Sequence, residues 1–277
     1  MPILVLDLDG TLLNHEYRIS DKTKAALLKL QSEGATLVIA SGRYLREITQ
    51  LAKELEMDQH HGVIIGANGA IAIDVMDHEI LHDHPLTPEV SRQILKIIEQ
   101  FDIIPSFSDD NFSYTNDIKA RDKIFSDVLK TSVKFGEEDT WLDTKEIKDL
   151  AGFVDFPLYK ILSIGYPDYM DKHHHEIEKA VQDIAEGAMT TPFAFEYTAL
   201  GIDKGETLKK VIALKNWKKE DIYAFGDGHN DLALLKVAGT GIAMGNAANQ
   251  LKKQADFVTK SHAEDGIVHA LKHFGLL

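Results

Sequence analysis

Residues 3–11 read Ile3-Leu4-Val5-Leu6-Asp7-Leu8-Asp9-Gly10-Thr11, a continuous apolar run that ends in two acids one residue apart. An apolar run without polar alternation reads as a strand covered on both faces, which is how parallel sheets are built. Working outward, Ser20 opens a helical pattern with Leu27 and Leu30 on one face, stopped by Gly34. Thr36 to Ala40 is a second apolar strand, and Ser41-Gly42-Arg43 follows at once. A helix carrying Ile48, Leu51, Ala52 and Leu55 leads to a third strand at Val63 to Ile65. This alternation predicts a parallel sheet with helices on its faces. The C-terminal stretch has the same style. A helix runs from Lys204 through Leu208, Val211 and Leu214, then strands follow at Ile222 to Phe225, Gly241 to Met244 and Phe257 to Thr259. Glu264 to His273 is expected as a last helix.

The middle of the chain differs. Thr87-Pro88-Glu89 places an N-cap, a proline at the first helical position and an acid in the first turn. Ile103 to Ser108 and Phe112 to Thr115 read as strands joined by a turn at Asp109-Asp110-Asn111. Strands at Tyr159 to Gly165 and Phe193 to Tyr197 flank a helix bearing Ile177, Ala180, Val181 and Ile184. The fold class expected is therefore α/β, a Rossmann-like core with a parallel sheet, plus an inserted α+β domain. Its boundaries are placed at 1–82 and 200–277 for the core and 83–199 for the insertion.

Composition narrows the function. The 277 residues carry 30 basic and 44 acidic side chains, a formal net charge of −14, which opposes binding to nucleic-acid backbones and anionic membranes. Cysteine is absent, which excludes disulfides, thiolate nucleophiles and Cys-ligated metals. No run approaches the roughly 20 apolar residues of a membrane span, and the start of the chain lacks the basic region of a signal peptide. A cytoplasmic protein is expected, as a monomer or homodimer, with no nucleic-acid or membrane partner.

Four stretches carry chemistry. Asp7 and Asp9 lie at the carboxyl end of the first strand, where open parallel sheets bind ligands. One carboxylate can attack phosphorus while the other handles a proton, although a plain strand-end turn accounts for the pattern equally well. Gly226-Asp227-Gly228-His229-Asn230-Asp231 follows another apolar strand, and its two aspartates are hard oxygen ligands suited to Mg²⁺. A glycine-rich loop with a helix cap is the alternative there. Ser41-Gly42-Arg43 offers a hydroxyl and backbone N–H groups for a phosphate, or an ordinary N-cap. Lys204 sits at a helix start, where the dipole disfavours a cation unless it offsets other negative charge.

Together these stretches resemble the haloacid dehalogenase superfamily, whose four motifs match Asp7-Leu8-Asp9-Gly10-Thr11, Ser41, Lys204 and Gly226 to Asp231. The insertion resembles the type IIB cap of the Cof-like phosphatases. Ala67-Asn68-Gly69-Ala70, Ala243-Met244-Gly245-Asn246-Ala247 and Ala255-Asp256-Phe257-Val258-Thr259 match as well. Ser41 stands where many relatives have threonine, Asp203 where serine is common, and Leu234-Leu235 where Met-Leu is usual.

The resemblance implies Asp7 as nucleophile and Asp9 as general acid/base. It implies Mg²⁺ held by the Asp7 carboxylate, the Asp9 carbonyl and Asp227, with Asp231 supporting directly or through water. Ser41, Gly42, Lys204 and Asn230 would bind the phosphoryl group. Arg43 is read equally as a substrate contact or a brace of the second motif, and Asn68 as a pocket residue or a turn. In the insertion, Phe107, Phe112, Tyr114 and Tyr159 are candidate substrate selectors, with core packing expected for most. His173-His174-His175 is read as a solvated helix start, because consecutive helical residues do not share a face. The function expected is hydrolysis of a small phosphorylated metabolite, with sugar phosphates foremost. A phosphomutase and a non-catalytic phospholigand sensor are the alternatives.

Overall fold

A computed structural model of the chain describes residues 1–109, 111–129 and 142–277, so Asp110 of the expected hairpin turn lies outside the described residues. From the N-terminus, β1 (Ile3–Leu6), α1 (Asp21–Ser32), β2 (Thr36–Ala40), α2 (Leu45–Glu54) and β3 (Val63–Gly66) alternate as their apolar patterns dictate. Ser20 caps α1 by accepting from the Thr23 N–H at 3.2 Å. A hairpin of β4 (Ile71–Asp74) and β5 (Ile80–Asp83) follows. The long apolar stretch that begins at Gly62 thus splits into two antiparallel strands, because Ala67 and Asn68 take left-handed backbone angles and turn the chain back.

The chain then enters a second unit, His84–Gly201, before returning to the first, which comprises Met1–Asp83 and Ile202–Leu277. The second unit contains α3 (Pro88–Ile98), β6 (Ile104–Ser108), β7 (Ser113–Thr115), α4 (Ile118–Leu129), β8 (Thr144–Glu146) and α5 (Leu150–Phe153). It continues with β9 (Ile161–Ile164), α6 (Pro167–Val181), β10 (Glu186–Thr191) and β11 (Ala194–Thr198). After it come α7 (Lys204–Lys215), β12 (Ile222–Gly226), α8 (Leu232–Val237), β13 (Thr240–Ala243), α9 (Asn249–Lys252), β14 (Phe257–Val258) and α10 (Gly266–His273).

In the first unit, eight strands form one sheet in the order β14-β13-β12-β1-β2-β3-β4-β5. The six from β14 to β3 run parallel, and the β4–β5 hairpin is antiparallel. Leu4, Val5, Leu6, Leu37, Val38, Ile39, Ile64 and Phe225 are all fully buried, so consecutive residues of the central strands are covered on both faces. Each such side chain stabilises the fold by roughly 1.5–3 kcal/mol. Register keeps the strand ends level: Leu6 stands opposite Phe225 on one side and Ile39 on the other. The residues just after β12, β1 and β2 therefore emerge side by side. The last helix begins at Gly266 rather than Glu264, because Asp265 adopts a left-handed φ of 55° and closes off a short 3₁₀ turn at His262–Glu264.

Among the described residues of the second unit, six strands form a sheet in the order β10-β11-β9-β6-β7-β8, antiparallel except for the β7–β8 pair. Thr87 caps α3 and Pro88 opens it. Phe107 and Tyr114 are buried with their ring centroids 5.5 Å apart, beside Phe153 and Phe156, so these two serve the core. His173, His174 and His175 lie mid-way along α6 rather than at its start, since Pro167 sets the first turn. His173 stacks on Tyr169 one turn earlier, with centroids 4.4 Å apart. Strand β10 escapes the pattern because its sequence, Glu186 to Thr191, carries no large apolar residue but Met189 and lies at a sheet edge.

A half-buried ion pair ties α7 to the β4–β5 hairpin. Lys215 donates to Asp74 Oδ2 at 2.8 Å, and the Met76 and Asp77 N–H groups donate to Asp74 Oδ1. Burial pushes the Asp74 carboxyl up, but Lys215 and these N–H groups outweigh it and hold the group below its ordinary 3.8. A carboxyl depressed in the folded state contributes stability above the unfolded pKa and loses it as pH falls. Lys215→Met is expected to cost about 1–3 kcal/mol at pH 7. The difference from wild type, followed by urea unfolding, should shrink below about pH 4.

Candidate active site

The site is assembled from loops that leave the carboxyl ends of neighbouring parallel strands. Asp7 follows β1, Ser41 follows β2, Ala67-Asn68-Gly69 follows β3 and Asp227 follows β12. Asp7 keeps the strand ladder through its N–H to the Phe225 carbonyl at 3.1 Å, then Thr11 and Leu12 hook back to Leu8 and Asp7. Lys204 arrives from another direction, at the first position of α7, whose start is capped by Asp203 accepting from the Glu206 N–H at 2.7 Å.

The close approach of α7 to α8 brings Lys204 to the acids. Gly205 permits it, since a Cβ there would lie 2.6 Å from the Ala233 backbone. The Lys204 ammonium, only 1% exposed, donates to Asp7 Oδ1 at 2.6 Å and to Asp231 Oδ1 at 2.8 Å. Asp231 is fully buried, and its second oxygen accepts from the Asp227 and Gly228 N–H groups at 3.0 and 2.9 Å. One aspartate therefore shapes the glycine-rich loop and anchors the lysine.

Electrostatics follow from this burial. Desolvation alone would push the Lys204 ammonium down, but the charges of Asp231 and Asp7 reverse this and raise it above its ordinary value. Burial, then the charge of Asp231, pushes the Asp7 carboxyl up to about 8 against the opposing pull of Lys204. Burial and Asp231 likewise push Asp227 up to about 6. These shifts describe a site short of positive charge.

The carboxylates of Asp7, Asp227 and Asp231 each offer an oxygen within 4.8 Å of the others. With all three ionised, their charge exceeds that of the Lys204 ammonium by two. A hard divalent cation fits both the donor chemistry and that charge. The Asp9 side chain lies outside this cluster. It is half exposed and gripped by Arg43, which donates through Nε to Oδ2 at 2.9 Å and through Nη2 to Oδ1 at 2.5 Å. Arg43 thus pairs with the first motif, whereas the bracing role read from its position after β2 concerned the second.

The phosphate-binding candidates occupy a looser arc. Ser41 is buried, and its Oγ accepts from the Arg43 N–H at 3.2 Å. Asn68 Oδ1 accepts from Asn230 Nδ2 at 3.3 Å, which joins the loops after β3 and β12. Thr207 of α7 donates to the Gly69 carbonyl at 2.6 Å and holds that turn against the helix bearing Lys204. Two residues outside the sequence-derived set also act here: Thr11 donates to Asp227 Oδ1 at 3.3 Å, and Asn246 donates to Asp227 Oδ2 at 3.2 Å. Asn246 follows the β13 strand end, the same positional signal that marked Asp227.

Residues 4–271 match the family model of the haloacid dehalogenase-like hydrolases. The chain belongs to that family. It is similar over its whole length to the protein YkrA of Bacillus subtilis, at 30% identity covering 99% of this chain and 98% of that one. It is also 28% identical to the 5-amino-6-(5-phospho-D-ribitylamino)uracil phosphatase YcsE of Bacillus subtilis, covering 99% and 96%. Among solved structures, a sugar phosphatase of subclass IIB matches with a TM-score of 0.80 at 25% identity, covering all of both chains. The chain is thus an enzyme, a phosphatase of the haloacid dehalogenase type with a Cof-like organisation. No helix among the described residues is long and apolar enough to cross a membrane.

The cluster predicts a coupled response. Removing the ammonium by Lys204→Met leaves buried carboxylates uncompensated and should cost about 3–5 kcal/mol in metal-free buffer. Asp7→Asn with Lys204→Met should lose clearly less than the two single changes added together, as read by chemical denaturation of all four proteins.

Proposed function

We propose that this enzyme hydrolyses small phosphomonoesters with a sugar or polyol leaving group, through an aspartyl-phosphate on Asp7 and with Mg²⁺ as cofactor. The observation that carries this reading is the buried Lys204 ammonium bridging Asp7 and Asp231 beside Asp227, at the carboxyl ends of the parallel strands. Two relatives support the leaving group, since their names specify a phosphoribityl compound and a sugar phosphate respectively.

Lys204 holds Asp7 Oδ1, which orients the carboxylate and assigns attack to Oδ2. In the first half-reaction a bond forms from Asp7 Oδ2 to phosphorus as the bond to the ester oxygen breaks, and Asp9 gives that oxygen a proton. In the second, Asp9 takes a proton from water as the water oxygen attacks phosphorus. The bond to Asp7 then breaks, releasing inorganic phosphate and restoring the carboxylate. Ser41 Oγ, the Gly42 N–H, Lys204 and Asn230 hold the phosphoryl oxygens, and Arg43, which donates to both Asp9 oxygens in this structure, must release one of them for Asp9 to carry the proton. Asp7, the Asp9 carbonyl and Asp227 would hold Mg²⁺, with Asp231 supporting it directly or through water, and the ion would supply positive charge against the phosphoryl oxygens. Choice of leaving group is assigned to the inserted unit, residues 84–201.

The test is phosphate release from a panel of sugar phosphates, ribityl phosphates, nucleotides and cofactor phosphates. Release should require Mg²⁺, stop on addition of EDTA, and fall by about a thousandfold or more in Asp7→Asn, with the fold retained by circular dichroism. Silence across the panel, or phosphoryl transfer between sugar positions without release, would exclude hydrolysis as the function.

A further inference from the structure

We propose that Asn246 is a positioning residue for the divalent cation, its carboxamide setting the Asp227 carboxylate and the Gly10 turn in the geometry that takes up the metal. The inference rests on the reading of Asp227 as a metal ligand. Asn246 lies past β13, and although its side chain is exposed, its hydrogen-bonding groups are committed. Nδ2 donates to the Gly10 carbonyl at 2.8 Å and to Asp227 Oδ2 at 3.2 Å. Oδ1 accepts from the His262 N–H at 3.0 Å. The amide therefore has one workable orientation. Flipped, its oxygen would face a carbonyl and a carboxylate while its NH₂ faced an N–H.

The two partners of Nδ2 touch each other. Gly10 has a φ of +81°, and a Cβ there would fall within the van der Waals sphere of Asp227 Oδ2. The turn carrying Asp9 is thus stacked on the Asp227 carboxylate, and Asn246 is the donor that spans both. Thr11 grips the other oxygen of Asp227, and the Ala248 N–H donates to the Asp227 carbonyl at 3.1 Å. The β13 loop consequently holds Asp227 by side chain and backbone at once.

A neutral donor has a specific advantage here. It fixes the direction of the carboxylate without supplying the positive charge that a lysine would, so the negative charge stays available to a cation. Partners of this kind typically change metal affinity 10- to 100-fold when removed.

The experiment is an Mg²⁺ titration of the substrate-free enzyme followed by thermal shift, for wild type, Asn246→Ala and Asp227→Ala. Asn246→Ala should raise the Kd for Mg²⁺ about 10-fold or more, and kcat at saturating Mg²⁺ should change much less than the Mg²⁺ requirement. A Kd within about twofold of wild type, with binding abolished in Asp227→Ala, overturns the role of Asn246 while leaving the metal site standing. A wild-type enzyme that takes up no Mg²⁺ overturns both readings. A purely structural role would lower the melting temperature and leave the Kd in place.

Should Asn246→Ala not fold, His262→Pro compared with His262→Ala decides. Ser261 has φ −68° and ψ 161°, which suits a following proline at the first position of the 3₁₀ turn, so relative to His262→Ala the His262→Pro change removes the N–H that locks Oδ1. Mg²⁺ binding weaker than in His262→Ala by a few-fold supports the positioning role, and equal binding overturns it.

Discussion

A fully buried ammonium is expensive, and the first unit of this protein is arranged around making one tolerable. Lys204 has no water to solvate it and relies on Asp7 and Asp231. Desolvation penalties of several kcal/mol per ion are offset only when geometry is good and the remaining polar atoms are satisfied. Asp231 meets that condition by spending its other oxygen on two backbone N–H groups of its own loop. The lysine, the loop and the strand-end acid thereby become one unit, whose residual negative charge suits a divalent cation and the phosphoryl group it accompanies.

That unit depends on the sheet. Parallel strands in step bring the ends of β12, β1 and β2 level, so residues more than 200 positions apart in the chain meet without long loops. Gly205 lets α7 approach α8 closely enough for Lys204 to reach across. The apolar strands thus do two things: they bury surface on both faces and set the spacing of the acids at their tips.

Two kinds of side chain hold the reacting groups. Charged partners, Lys204 on Asp7 and Arg43 on Asp9, orient carboxylates and offset their charge. Neutral partners, Thr11 and Asn246 on Asp227, orient without offsetting. Of the carboxylates proposed to hold the metal, Asp7 and Asp231 share the Lys204 ammonium, whereas Asp227 is oriented by neutral donors that leave its charge to a cation.

Much of this was legible from residue order. Apolar runs of Ile3 to Leu6, Thr36 to Ala40 and Ile222 to Phe225 named the parallel strands, because strands buried on both faces admit no polar alternation. Thr87-Pro88 and Ser20 named helix starts through local capping chemistry. Acids at strand ends named Asp7 and Asp227. Polar elements were illegible: β10 carries no apolar period, and its pairing to β11 comes from backbone hydrogen bonds. The sequence by itself determined which side chains could do chemistry and which strands would bring them to one end of a sheet. Only the tertiary structure decided that Arg43 grips Asp9, that Asp231 both shapes its loop and anchors Lys204, and that Asn246 spans Gly10 and Asp227. Such pairings join residues distant in sequence, and no local propensity encodes a contact whose partner is positioned by the packing of the whole domain.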